Sequence, residues 1–160
     1  MQGESAVELV VPTAERMREL GRELARGLEA GDLVLLTGDL GAGKTTLTQG
    51  IGAGLGVRGP IASPTFIIAR VHPSIIGGPP LVHVDAYRLG GWDELEDLDL
   101  EASLGEAVTV VEWGTGLAEG LADRRLEIEI LRTHGDEPGE ATEDRTVRLR
   151  AIHRELPTQA

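Results

Sequence analysis

Gly38-Asp39-Leu40-Gly41-Ala42-Gly43-Lys44-Thr45 is the stretch on which the reading of this chain turns. It fits Gly-x-x-x-x-Gly-Lys-[Ser/Thr], the pattern of a loop that wraps phosphate, the P-loop. Each position has a physical task. Glycine at 38, 41 and 43 lets the backbone take positive φ and bring its N–H groups against phosphate oxygens. A helix starting near Lys44 points its unpaired N–H groups and the positive end of its dipole at the same oxygens. The Lys44 ammonium is suited to the β- and γ-phosphates, and the Thr45 hydroxyl to Mg²⁺. The expected nucleotide-contacting run is therefore Gly38, Asp39, Leu40, Gly41, Ala42, Gly43, Lys44, Thr45 and Thr46.

The flanks suit such a loop. Leu33-Val34-Leu35-Leu36-Thr37 reads as a buried strand, and residues 44–55 as a helix with Leu47, Ile51 and Leu55 on one stripe. Gly50, Gly52 and Gly54 weaken the end of that helix by about 1 kcal/mol each relative to Ala, and close packing is the reading they suggest. Upstream, Thr13 is a cap for a helix with Met17, Leu20, Leu24 and Leu28 on one face, closed by Gly31. Glu15/Arg18, Glu19/Arg22 and Glu23/Arg26 are i,i+3 pairs on its outer side.

Downstream, residues 66–71, 81–85 and 108–112 read as strands, with a Gly- and Pro-rich loop over 72–80. Residues 92–104 read as a helix, with Leu95, Leu98 and Ala102 inward and Asp93, Glu94, Glu96, Asp97, Asp99 and Glu101 outward. Segments 126–131 and 147–152 alternate in polarity and predict an antiparallel pair. The expected fold class is α/β: a P-loop three-layer sandwich, mostly parallel in its central sheet, with a C-terminal antiparallel strand pair. One domain spans 1–160, with 1–10 and 153–160 expected as flexible tails.

Composition narrows the function. Of 160 residues, 41% are hydrophobic but only 2% aromatic, so Leu, Val, Ile and Ala must fill the core. With no cysteine, disulfides and thiolate metal sites are excluded, and a reducing, cytoplasmic setting is expected. The first residues carry no basic and then apolar run, so no signal peptide is read, and no apolar run is long enough to span a membrane. The formal charge of −12 argues against a direct nucleic-acid reader and favours a basic protein partner.

Lys44 is the single lysine against fourteen arginines, and there is no asparagine. The Asn-Lys-x-Asp segment that reads guanine is thus excluded, which favours ATP over GTP. The glutamines, Gln2, Gln49 and Gln159, do not stand beside a strand-end acid, so none is placed to orient water. Arg70 and Arg88 are the candidate arginine fingers within the chain. Arg124 and Arg125, the one adjacent basic pair, give thin support to a phosphotransferase lid.

A P-loop also needs a carboxylate at the end of a neighbouring apolar strand to help hold Mg²⁺. Asp85 and Glu112 both qualify, one holding the cation and the other orienting water, and the sequence leaves open which does which. His83, inside its strand, reads as a core or sheet-face residue rather than a ligand. The surroundings of Val11 and Thr13, and of residues 131–134, are the candidate adenine pocket.

Taken in order, residues 38–46, Ser63-Pro64-Thr65-Phe66, Asp85-Ala86-Tyr87-Arg88-Leu89, Leu95-Glu96-Asp97-Leu98 and Glu112-Trp113 resemble the TsaE (YjeE) family. The likeness runs from about residue 13 to residue 130. Ala86, where a larger apolar residue is common, and the long loop after Val71 depart from the pattern. The resemblance implies a Mg²⁺-dependent ATPase, weak alone, of bacterial tRNA threonylcarbamoyladenosine formation. It implies TsaB and TsaD as partners, with tRNA engaged indirectly and neither DNA nor membrane. It implies Thr45 and Glu112 at the Mg²⁺ site, Asp85 as the acid needed for hydrolysis, Thr65 as a switch-like residue near the γ-phosphate and Trp113 beside the nucleotide. A nucleotide-state-dependent binding module and a small-molecule kinase are the alternative readings.

Overall fold

A seven-stranded sheet organises the protein. The computed structural model describes residues 4–38, 43–57, 69–85, 105–112, 125–132 and 145–152. In chain order the elements are β1 (Glu4–Val11), α1 (Ala14–Arg26), β2 (Leu33–Gly38), α2 (Lys44–Leu55), β3 (Ala69–His72), β4 (Leu81–Asp85), β5 (Val108–Glu112), β6 (Arg125–Arg132) and β7 (Arg145–Ile152). The strands lie in the order β1-β7-β6-β2-β5-β4-β3. β2 pairs in parallel with both β5 and β6, and β4 in parallel with β5. The β3–β4, β6–β7 and β1–β7 pairs are antiparallel. The fold is thus α/β, with a mixed sheet, a parallel centre and antiparallel strands at the C-terminal end, as the strand patterns predict.

The central strands carry near-continuous apolar sequence because both of their faces are buried. Leu33, Val34, Leu35 and Leu36 are all buried, as are Val108, Val110 and Val111. Val34, Leu36, Val110, Leu126, Ile128 and Ile130 join one core with Met17, Leu20 and Leu24 of α1 and Leu47, Ile51 and Leu55 of α2. Each such side chain contributes about 1.5–3 kcal/mol by leaving water. β6 and β7 are apolar on this face only. On the other face Arg148 bridges Glu8 at 2.9 Å and Glu129 at 3.2 Å, while Glu127 holds Arg125 at 2.8 Å and Arg150 at 3.2 Å. Those contacts raise the Arg148 pKa above its ordinary value, the Glu8 hydrogen bond first.

Three expectations need correction. Residues 4–10, expected as part of a tail, form most of β1, which pairs with β7 over its whole length. Val7, Leu9 and Val11 point to the core while Glu8 and Val10 face outward, a period-2 pattern. Helix α1 ends one turn early, at Gly27 rather than Gly31, whose positive φ and N–H bond to Ala107 turn the chain into β2. On its polar face the ion pairs among the described residues join Arg16 to Glu19 and Glu23, in place of the expected Glu15/Arg18, Glu19/Arg22 and Glu23/Arg26 pairs.

The glycines of α2 have a clear role. A Cβ on Gly50 would stand 2.2 Å from the Arg18 carbonyl oxygen, and one on Gly54 2.5 Å from the Ala25 Cβ. Gly21 does the reciprocal job on α1, where a Cβ would meet the Leu47 carbonyl oxygen at 2.5 Å. The two helices therefore touch backbone to backbone, which fixes the α2 axis against α1. Among the described residues no helix is long and apolar enough to cross a membrane.

Candidate functional site

Strands β2, β4 and β5 run the same way, so their carboxyl ends share one edge of the sheet, the edge where open α/β sheets bind ligands. β2 ends there at Gly38, which the chain needs for a close approach. A Cβ at 38 would stand 2.5 Å from the Ile130 carbonyl oxygen of β6. After the loop, Gly43 is the N-cap of α2 at φ 116°, a conformation that favours glycine, with no side-chain cap. Glycine has no side chain with which to cap the first N–H groups of α2, which carry the positive end of the helix dipole.

Lys44, the first residue of α2, is buried, and its Nζ donates to the Gly38 carbonyl oxygen at 2.8 Å. The ammonium therefore joins the two ends of the glycine-rich loop. Thr45 and Thr46 follow, half-buried, and the buried Thr48 hydroxyl donates to the Lys44 carbonyl at 2.9 Å.

One strand away, Glu112 ends β5 with only 4% of its surface exposed. The register sets it beside Leu36 of β2 and beside Asp85 of β4. His83, two residues before Asp85, is fully buried, and its Nε2 meets Glu112 Oε2 at 2.5 Å. This pair is the feature that the sequence reading missed: an alternating strand pattern places His83 on the sheet, but only the β4–β5 register brings it to Glu112. Its other ring nitrogen, Nδ1, is buried without a hydrogen-bond partner among the described residues.

The remaining candidates divide as follows. Thr13 caps α1, its hydroxyl accepting the Arg16 N–H at 3.0 Å. Val11, by which the adenine pocket was sought, is buried in the core. Arg70 stands opposite His83 in the β3–β4 register. Arg125 begins β6 beside Leu33, at the amino end of the parallel strands and so across the sheet from the loop. That position removes the support Arg125 gave to a phosphotransferase lid. Asp39, Leu40, Gly41, Ala42, Thr65, Arg88, the acidic segment 92–104, Trp113 and residues 133–134 lie outside the described residues, as does the side chain of Asp85.

The donor set fits Mg²⁺. A threonine hydroxyl, at Thr45, and a buried carboxylate, at Glu112, are hard oxygen donors of the kind Mg²⁺ takes. Among the described residues no group of three or more His, Cys, Asp or Glu forms an all-protein metal cage. Mg²⁺ seldom uses one, being held instead by one or two carboxylates together with phosphate oxygens and water.

Comparison with known proteins agrees with the motif order. Residues 11–141 match the family described as threonylcarbamoyl adenosine biosynthesis protein TsaE. The chain is 68% identical over 121 residues to the tRNA threonylcarbamoyladenosine biosynthesis protein TsaE of Streptomyces coelicolor, covering 75% of this chain and 82% of that one. It is 48% identical over 134 residues to the protein of the same description in Mycobacterium tuberculosis, covering 79% and 80%. Among solved structures, Bacillus subtilis YdiB superposes with a TM-score of 0.69 at 30% identity, over 95% of this chain and 89% of that one. The chain therefore belongs to the TsaE family of tRNA threonylcarbamoyladenosine biosynthesis proteins.

Proposed function

We propose that this protein binds ATP and Mg²⁺ at the carboxyl edge of β2, β5 and β4 and hydrolyses the nucleotide to drive the TsaB–TsaD complex of the same modification. The observation that carries the reading is the Lys44–Gly38 contact at the head of α2, one strand from the buried Glu112. A buried ammonium and a buried carboxylate are costly to hold in a core, and a polyanion with a divalent cation is the ligand that uses both.

In this reading the backbone N–H groups of 38–46 and the Lys44 ammonium hold the β- and γ-phosphates. Thr45 and Glu112 supply oxygen ligands to Mg²⁺, Asp85 orients the attacking water, Thr65 acts as a switch-like residue for the γ-phosphate, and Trp113 serves the nucleotide. Bound there, Mg²⁺ offsets charge that builds on the phosphate oxygens during transfer. The protein acts on a protein complex, so tRNA is engaged indirectly, in the cytoplasm, and the whole chain works as one domain. The net charge of −12 supports a protein rather than a nucleic-acid surface as its partner.

The test is phosphate release from ATP with the chain alone, with TsaB–TsaD, and with both. Weak hydrolysis alone and clear stimulation by the complex are expected. Absence of ATP and ADP binding by calorimetry in the presence of Mg²⁺ would overturn the reading.

A further inference from the structure

The His83–Glu112 pair carries more than packing. Both side chains are buried, on adjacent parallel strands, and among the described residues His83 is the one hydrogen-bond partner of Glu112. The contact takes Oε2, which leaves Oε1 for a second ligand. Leu36 and Val110 beside the pair and Leu81 two residues before His83 are apolar and buried, while Asp85 stands next to Glu112 and Arg70 opposite His83 in the strand register. An apolar pair would fill this space at least as well, because burying an imidazole and a carboxylate costs solvation that one contact barely returns. A carboxylate that must present one oxygen in a fixed direction does need a donor on the other. Among the described residues the far ring nitrogen of His83 accepts or donates no hydrogen bond, so the histidine is anchored by its strand and not by a network.

We propose that His83 is the positioning residue for Glu112, holding Oε2 through its Nε2–H so that Oε1 is aimed at the cation of the phosphate site. This rests on the nucleotide reading above. His83 touches neither nucleotide nor cation; it acts through Glu112 alone, as outer-shell partners of metal-binding carboxylates do.

Mn²⁺ binding to the protein with ADP, followed by the free-Mn²⁺ electron paramagnetic resonance signal, tests the assignment without reference to turnover. Three variants separate position from bulk. His83→Phe keeps the ring and loses the donor. His83→Asn keeps an amide too short to reach Oε2. His83→Gln carries an amide nitrogen at nearly the Nε2 position. Phe and Asn should weaken Mn²⁺ about 10-fold or more, the usual cost of losing an outer-shell partner, while Gln restores most of the affinity. ADP binding in EDTA should be unchanged in all three. In a Glu112→Gln background the His83 substitutions should have no further effect on Mn²⁺.

Wild-type Mn²⁺ affinity in a folded Phe or Asn variant overturns the proposal, and either variant suffices if the other does not fold. So does a Gln variant as impaired as Phe, or an equal loss in the Glu112→Gln background. Failure of the wild-type protein to bind Mn²⁺ with ADP would instead sink the nucleotide site itself, and this assignment with it.

Discussion

Gly50→Ala makes the sharpest test of the architecture, because two physical arguments give it opposite signs. Gly50 lies inside α2, and helix propensity alone makes Ala the better residue there by about 1 kcal/mol. The packing says otherwise. The new Cβ would lie 2.2 Å from the Arg18 carbonyl oxygen and 2.9 Å from its carbon, both backbone atoms of α1. Ordinary contact begins at 3.4 Å, so the helices must part by about 1.2 Å, and no side-chain rotation can relieve the clash. Overpacking of this kind costs about 1–3 kcal/mol, or more against backbone. Because the clash is with backbone, the upper part of that range applies, and after the propensity gain a net loss of about 1–2 kcal/mol remains. For a chain of this size that lowers Tm by roughly 2–8 °C.

Thermal and urea denaturation of the full chain would measure it, with Gly105→Ala as control, since among the described residues nothing lies within 4 Å of a Cβ there. Gly21→Ala, clashing with Leu47 across the same contact, should also destabilise. Once either substitution has parted the helices, the second should cost less than its single effect. A Gly50→Ala protein as stable as wild type, or more so, would refute the claim that α1 and α2 meet backbone to backbone.

Three further expectations concern the cap and the site. Thr13→Ala should cost about 1 kcal/mol, because the Arg16 N–H loses its acceptor at the start of α1; a melt shows it, and an unchanged Tm would mean that water replaces the cap without loss. Lys44→Ala should abolish measurable ATP binding in calorimetry and Lys44→Arg should not restore it, since the planar guanidinium cannot fold back onto the Gly38 carbonyl as the ammonium does; wild-type affinity in either would remove Lys44 from the phosphates. Glu112→Gln and Asp85→Ala should each cut hydrolysis by about 100-fold or more while ADP binding survives on the backbone cradle, and near-normal phosphate release in both would end their assignment as the site's acids.

Much of this was legible in the sequence, for a reason common to the readable parts: their signals are local. The bounds of α2, β4 and β5 follow from a glycine turn and short apolar runs that end in a charged residue, and all three match the observed elements. Terminal strand β1 had the alternation of Val7, Leu9 and Val11, but its partner β7 lies some 140 residues away, as the Glu8–Arg148 bond marks, with no turn between to announce the pairing. The early end of α1 was hidden because Leu28 continues the apolar stripe beyond the helix, buried although no longer helical. The α2 glycines could be counted but not explained until α1 was seen against them. His83 and Glu112 are 29 residues apart and meet only through strand register, which no spacing rule in a single chain provides.

That last contrast says something about how the edge of the sheet is built. Lys44 and Glu112 are among the few charged side chains buried in the described structure, and they sit one strand apart at the same edge. Each is held by a different device. The ammonium is tied to a carbonyl of its own loop. The carboxylate is held by an imidazole on the neighbouring strand, through one oxygen only. Both anchors belong to elements with buried cores, and α2 is itself pinned by backbone contact with α1. Opposite charges are thereby fixed in place before any ligand arrives, and their desolvation is met during folding rather than at binding. In the proposed function, binding then needs only the partner that matches both at once, an anion for the lysine and a cation for the glutamate, which is the charge pattern of a metal-bound phosphate.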